Sequence, residues 1–188
     1  YNHIDVPSAQ AAGIAVTNTP GAVPDATADI AMTQILKTAR RAGEGERMLR
    51  AGNWTGWAPP QMLGLHVSGR TVAIIGMGRI GQAIARRCHF GFGCEIVYAS
   101  RSEKALNFPA RALDLETALS VADIAVLAVP ATPQTHHMID AKSLAAMQPH
   151  ALLVNSARGD VMDEAALSAA LDAGQLAGAG LDVYECEP

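Results

Sequence analysis

The spacing of apolar positions changes at about Arg70 and divides the chain in two. Beyond it, short runs that are almost wholly apolar alternate with stretches in which apolar residues return every three to four positions. The runs Thr71–Ile75, Glu95–Ala99, Ile124–Val129, Ala151–Val154 and Gly178–Val183 are predicted to be strands. Ile80–Phe90 and Asp163–Ala173 are the clearest of the helices between them. Strands apolar on both faces and separated by helices predict an α/β fold with a doubly wound parallel sheet.

Before Arg70 the pattern is mainly helical. Asp5 can cap a short helix, with Pro7 in its first turn and Gly13 as its stop. Ile14–Thr17 is a β-rich run closed by Pro20-Gly21 and predicts a strand. One long helix is then predicted from about Asp25 to Ala51, started by Pro24, ended by Gly52, with Ile30, Ile35 and Leu36 as its apolar stripe. The stretch 53–69, with two Trp, two Pro and several Gly, reads as an ordered loop.

Composition narrows the picture. Hydrophobic residues make up 49% and charged residues 17% of 188, a globular balance long enough for one domain with a full core or one domain plus a fragment. A net charge of -4 argues against a nucleic-acid surface but permits a small basic pocket for a phosphate. No apolar run reaches the roughly 18 residues of a membrane span, and no signal-peptide pattern is visible. Cys88, Cys94 and Cys186 show neither a CxxC pair nor a metal-ligand spacing, an odd and sparse set that suits a reducing cytoplasm without a metal site. The opening on Tyr1 and the close on Cys186-Glu187-Pro188 read as the ends of a piece of a longer protein.

The central motif is Gly76-Met-Gly78-Arg79-Ile80-Gly81, directly after the first strand and at the start of a helix. That context gives the three glycines distinct tasks: Gly76 makes the tight turn, Gly78 admits a diphosphate, and Gly81 lets helix and strand pack closely. The helix start then offers free N–H groups and the positive end of its dipole to the anion. A glycine-rich turn without a ligand is the alternative.

In such units a carboxylate at the end of the second strand binds the ribose 2′-hydroxyl and selects NAD. Here Ser100, Arg101 and Ser102 stand at that place, two hydroxyls and a cation that suit a 2′-phosphate, with Glu103 turned to solvent. NADP(H) is therefore favoured and NAD(H) remains possible, as does a merely solvated turn. Further on, Asn155-Ser156-Ala157-Arg158-Gly159-Asp160 places an arginine just past a buried strand, at the edge where open α/β sheets bind ligands. Its guanidinium fork can hold a substrate carboxylate, although position alone leaves open a surface Arg158 paired with Asp160 or Asp163. Asp182 ends the last strand and can accept a bond from a nicotinamide carboxamide. Alone, it and Glu187 could equally be ordinary polar loop residues.

Four motifs in order, 62–81, 129–135, 155–163 and 180–188, resemble those of the D-isomer-specific 2-hydroxyacid dehydrogenases, specifically and over essentially the whole chain. The resemblance implies that residues 1–21 end the first part of a substrate domain and that 22–188 form a dinucleotide-binding domain, incomplete at its C-terminus. It implies that Arg158 binds the substrate carboxylate and keto oxygen, and that Glu187 pairs with a catalytic His lying beyond this chain. Arg79 and Ile80 would lie at the diphosphate, and Ser156, Ala157 and Asp182 at the nicotinamide. Val129, Pro130 and Thr135 belong to the second motif of the cofactor site, and Thr27 would reach the ring from the start of the long helix. None of the six His fills the catalytic role: His136 and His137 are expected to face solvent, and His3, His66, His89 and His150 fall outside the motifs.

The activity implied is reduction of a small 2-keto acid, glyoxylate or hydroxypyruvate, to the D-2-hydroxy acid by a homodimer. The loop Asn53–Trp57 resembles that branch, with Trp57 either a specificity residue or dimer packing. An NAD-dependent D-3-phosphoglycerate or D-lactate dehydrogenase and a dinucleotide-sensing corepressor share the fold and are the alternatives.

Overall fold

Among the described residues, six parallel strands form one sheet: β1 (Thr71–Ile75), β2 (Glu95–Ala99), β3 (Arg111–Ala112), β4 (Ile124–Leu127), β5 (Leu152–Asn155) and β6 (Gly178–Leu181). The computed structural model describes residues 4–187, so Tyr1, His3 and Pro188 lie outside the described residues. Helices α1 (Val6–Ala11), α2 (Pro24–Ala39) and α3 (Ala42–Arg50) precede the sheet. Helices α4 (Arg79–Arg86), α5 (Leu115–Val121), α6 (Ala141–Ala145) and α7 (Glu164–Asp172) alternate with its strands. The strand order is β3-β2-β1-β4-β5-β6. The chain therefore winds outward from β1, returns to β4 and winds outward the other way, which opens a crevice at the carboxyl ends of β1 and β4.

Alternate strand positions feed the two layers. Val72, Ile74, Ile96, Ile124, Val126 and Val154 join the core that holds the buried residues of α2 and α4. Ala73, Ile75, Val97, Ala125, Leu127 and Leu153 join the core that holds those of α5, α6 and α7. Each large side chain so buried contributes roughly 1.5–3 kcal/mol, which is why strands without polar positions are stable here. Asp114, Asp140 and Asp163 cap α5, α6 and α7 by accepting the N–H groups of Thr117, Ser143 and Ala166. The bonds from Thr117 and Ser143 hold the Asp114 and Asp140 carboxyls below the ordinary carboxylate range.

The long helix expected over 25–51 is two helices. The Ala39 carbonyl accepts the Leu65 N–H at 2.8 Å, so the loop takes a bond the helix would have needed. Arg41 then turns left-handed at φ 54°, its guanidinium held by Glu44. Gly43 and Gly45 lower the tendency of the helix to run through. The buried face of α2 is Ala28, Ala31, Met32, Ile35 and Ala39, whereas Ile30 and Leu36 are 42% and 37% exposed. The small alanines let α2 lie close to the sheet, and Gln34 ties it to β6 through the Leu181 carbonyl at 3.1 Å.

Ile14–Thr17 is not a strand: it is largely exposed and has no ladder partner among the described residues, so β propensity has nothing to pair with. Strand β4 stops at Leu127, two residues early, because Pro130 lacks an N–H and restricts Val129 before it. Strand β6 stops at Leu181, although the Asp182 N–H still reaches the Asn155 carbonyl at 3.0 Å. Helix α4 runs on into a wider turn, Arg87–Gly91, which buries Cys88. Burial pushes the Cys88 thiol up to about 12, so it stays protonated and packs as a small apolar residue. No helix among the described residues is long and apolar enough to cross a membrane.

Candidate active site

Strand β1 ends at Ile75 and the chain must reverse into α4 within three residues. Gly76 makes the turn at φ +103°, and a Cβ there would sit 2.6 Å from the Ala128 carbonyl oxygen. Gly81 abuts the Gly76 carbonyl so closely that no Cβ fits, which seats α4 against the end of β1. Gly78 differs from both: it is the extended N-cap of α4, and nothing lies within 4 Å of where its Cβ would be. It makes no side-chain cap bond, so the first-turn N–H groups keep their capacity for a ligand.

Gly78, Arg79 and Ile80 open on a cavity of about 680 Å³ at the carboxyl edge of the sheet. Thr27 lines it from the first turn of α2, and Val129 and Pro130 line it after β4. Ser156, Ala157 and Arg158 line it after β5. Its walls carry two arginines and no carboxylate, in a chain whose net charge is -4. Such a cavity selects an anion. Ser156 is only 8% exposed, and its Oγ has no hydrogen-bond partner. A buried hydroxyl left alone costs about 1–3 kcal/mol, so this one fits a polar group of a ligand. An anion-binding helix start beside an apolar wall and an orphaned hydroxyl suits a dinucleotide, with its diphosphate at residues 78–80.

Arg158 is exposed at the same cavity, and its NH1 donates to the Ala157 carbonyl at 2.7 Å. It forms no ion pair with Asp160 or Asp163 among the described residues, and Asp163 is occupied as the cap of α7. The turn that carries it is shaped by Asn155, which is fully buried. The Asn155 Oδ1 accepts the Ala157 N–H at 3.0 Å, and its Nδ2 donates to the Arg158 carbonyl at 2.9 Å. Sequence reasoning passed over this positioning role. Its signal was an asparagine closing an otherwise apolar strand.

On the other side of the glycine turn, the Gly76 N–H donates to the Ala99 carbonyl at 2.9 Å. Ser100, Arg101 and Ser102 follow at once and are exposed. Lys104, also unremarked in the sequence, brings its Nζ to Ser102 Oγ at 2.6 Å, and its N–H donates to the Tyr98 hydroxyl. A second cation thus stands at the Ser102 hydroxyl. A larger groove, about 960 Å³, runs between α2 and α4, and both of its carboxylates, Asp25 and Asp29, are taken up by Arg87 at 3.2 and 2.9 Å.

Residues 32–188 match the family profile for the D-isomer specific 2-hydroxyacid dehydrogenase, NAD binding domain. The chain belongs to that family. It is 47% identical to a glyoxylate reductase of Thermococcus litoralis across its whole length, and spans 59% of the length of that relative. An NADPH-dependent glyoxylate/hydroxypyruvate reductase from Sinorhizobium meliloti, solved with NADP and malonate, superposes with a TM-score of 0.89 at 41% identity over 100% of this chain and 59% of that one. A D-lactate dehydrogenase from Lactobacillus jensenii, solved with NAD+, superposes at 0.85 and 32% identity over 98% of this chain and 56% of that one.

In this 2-hydroxyacid dehydrogenase domain the remaining motif residues fall as follows. Asp182 is exposed beside Asn155 at the end of β6. Glu187 is exposed and its Oε1 accepts the Tyr184 N–H at 2.9 Å. Thr135 is not among the cavity's lining residues: its hydroxyl donates to the Pro130 carbonyl at 2.7 Å and so shapes the loop that is. His136 is exposed, as expected. His137 is not simply solvent-facing, because its Nε2 pairs with Glu185 in a half-buried contact. His150 pairs with Asp123 at the opposite, amino-terminal end of the sheet, at 2.8 Å. His89 stacks on Phe108, away from the cavity.

Proposed function

We propose that the full-length protein is an NADPH-dependent glyoxylate/hydroxypyruvate reductase that forms the D-2-hydroxy acid. The observation that carries this reading is a single acid-free cavity lined both by Gly78–Ile80 of the glycine turn and by Arg158. The reduced nicotinamide, when bound, supplies a hydride. The N–H groups after Gly78 would hold the diphosphate, Ser156 would meet the ring, and Val129 and Pro130 would exclude water from one face. Asp182, outside the lining but next to Asn155, would accept from the carboxamide. Arg158 holds the substrate carboxylate and draws electron density from its carbonyl oxygen. Glu187 keeps a histidine of the full-length protein protonated, ready to give its proton to that oxygen. Residues 1–21 belong to the substrate domain and 22–188 to the cofactor domain.

Ser100, Arg101, Ser102 and Lys104 supply two hydroxyls and two cations where an NAD-selecting enzyme would carry a carboxylate, which supports a 2′-phosphate. A homodimer is supported by the uncovered apolar side chains of Ile30, Leu36, Phe90 and Trp57, the last 80% exposed. The test is a panel of 2-keto acids run with both cofactors. NADPH is expected to exceed NADH in kcat/KM by about tenfold or more, the worth of one charge-assisted bond. Arg101→Ala is expected to remove most of that margin and leave NADH turnover nearly unchanged. A clear NADH preference would overturn the cofactor assignment, and tight NADPH binding without any turnover would replace the reductase by a sensor.

A further inference from the structure

Arg158 leaves β5 on a segment, Arg158–Asp160, that is gripped from both sides. On one side stands the loop after β4: the His137 N–H donates to the Asp160 carbonyl at 2.8 Å, and the His136 ring nitrogen lies 3.2 Å from the same oxygen. On the other side is the turn after β6. Gly159 abuts the Tyr184–Glu185 peptide so tightly that a Cβ would overlap it. Glu164, at the start of α7, accepts the Glu185 N–H at 2.6 Å, and Glu187 fastens the turn to itself through Tyr184. The two gripping loops meet in one place, where His137 Nε2 pairs with Glu185 Oε1 and His136 stacks on His137 at 4.0 Å.

We propose that His137 and Glu185 are positioning residues that close a clasp around Arg158–Asp160 and so hold the Arg158 guanidinium over the cavity. The inference rests on Arg158 being the carboxylate-binding residue. The pair is about a third exposed on each side, so solvent screens it and its direct contribution to stability is small. Its leverage lies in geometry. Displacing a substrate-holding group by about 1 Å can cost a hundredfold in rate, far more than a screened ion pair returns in stability. The clasp does not need a charged imidazole, since a neutral His137 with its proton on Nε2 can still donate to Glu185. The same loop shapes the cavity wall, because Thr135 holds Pro130. One pair therefore links Arg158 to the surface facing it.

The experiment uses the full-length protein with NADPH and glyoxylate. Glu185→Ala is expected to lower kcat/KM for glyoxylate by about tenfold or more while the NADPH Kd stays within about twofold. Glu185→Gln, whose amide oxygen still accepts from His137, is expected to recover most of the loss. Amide exchange at His137, whose N–H is bonded to Asp160, is expected to speed up in the alanine variant and not in the glutamine variant. The clasp is overturned if Glu185→Ala leaves both kcat/KM and that exchange unchanged. It is overturned equally if NADPH affinity falls in step with activity, or if the glutamine variant is as impaired as the alanine one. A wild-type protein that reduces no 2-keto acid would refute the proposed function instead. The exchange at His137 would then decide the clasp on its own.

Discussion

Arg158→Ala in the full-length protein is expected to lower kcat/KM for glyoxylate by about 10²–10⁴. A guanidinium presents a planar fork, and a carboxylate with a neighbouring carbonyl oxygen offers two or more acceptors to it. Each charge-assisted bond is worth roughly 1.5–3 kcal/mol, and about 1.4 kcal/mol is tenfold in rate, which sets the range. The turn beneath Arg158 is fixed by buried Asn155, so the truncation should leave the backbone in place. The loss should therefore fall on the keto acid and spare NADPH, whose diphosphate seat is formed by other lining residues, Gly78, Arg79 and Ile80. Arg158→Lys keeps the charge but not the fork and should land between the two. A loss under about fivefold for the alanine variant would remove Arg158 from the reaction.

Gly78→Val should weaken coenzyme binding by about a hundredfold or more without unfolding the domain. The position is extended, at φ -79° and ψ -166°, which valine adopts readily, and no atom lies within 4 Å of the added Cβ. The new side chain would instead occupy the space through which a diphosphate reaches the Arg79 and Ile80 N–H groups. Losing even two bonds to a charged group weakens binding by about a hundredfold or more. A thermal midpoint close to wild type, together with a NADPH Kd raised by that factor, is the expected pair of results. Unchanged affinity would mean that the glycine turn is only a turn.

How much of this could be read from residues alone depends on how local the causes are. The strands β1, β2, β4, β5 and β6 announce themselves because burial on both faces leaves polar residues only at their ends. Strand β3 does not, since Arg111–Ala112 is two exposed residues paired only through β2. The break between α2 and α3 was hidden because its cause, the Leu65 N–H, lies in a loop well beyond the helix. The site divides in the same way. Gly76, Gly78, Gly81 and Arg158 were legible as short motifs in strand–turn–helix context. The Lys104–Ser102 contact needed the turn geometry, and the His137–Glu185 pair joins residues far apart in sequence that only the sheet edge brings together.

The most direct test is a crystal structure of the full-length protein with NADP+ and oxalate. The proposed site requires the diphosphate within hydrogen-bonding distance of the Arg79 and Ile80 N–H groups, and oxalate on the Arg158 guanidinium beside the nicotinamide of the same molecule. Oxalate bound away from Arg158, or a coenzyme lying outside the crevice between β1 and β4, would contradict it.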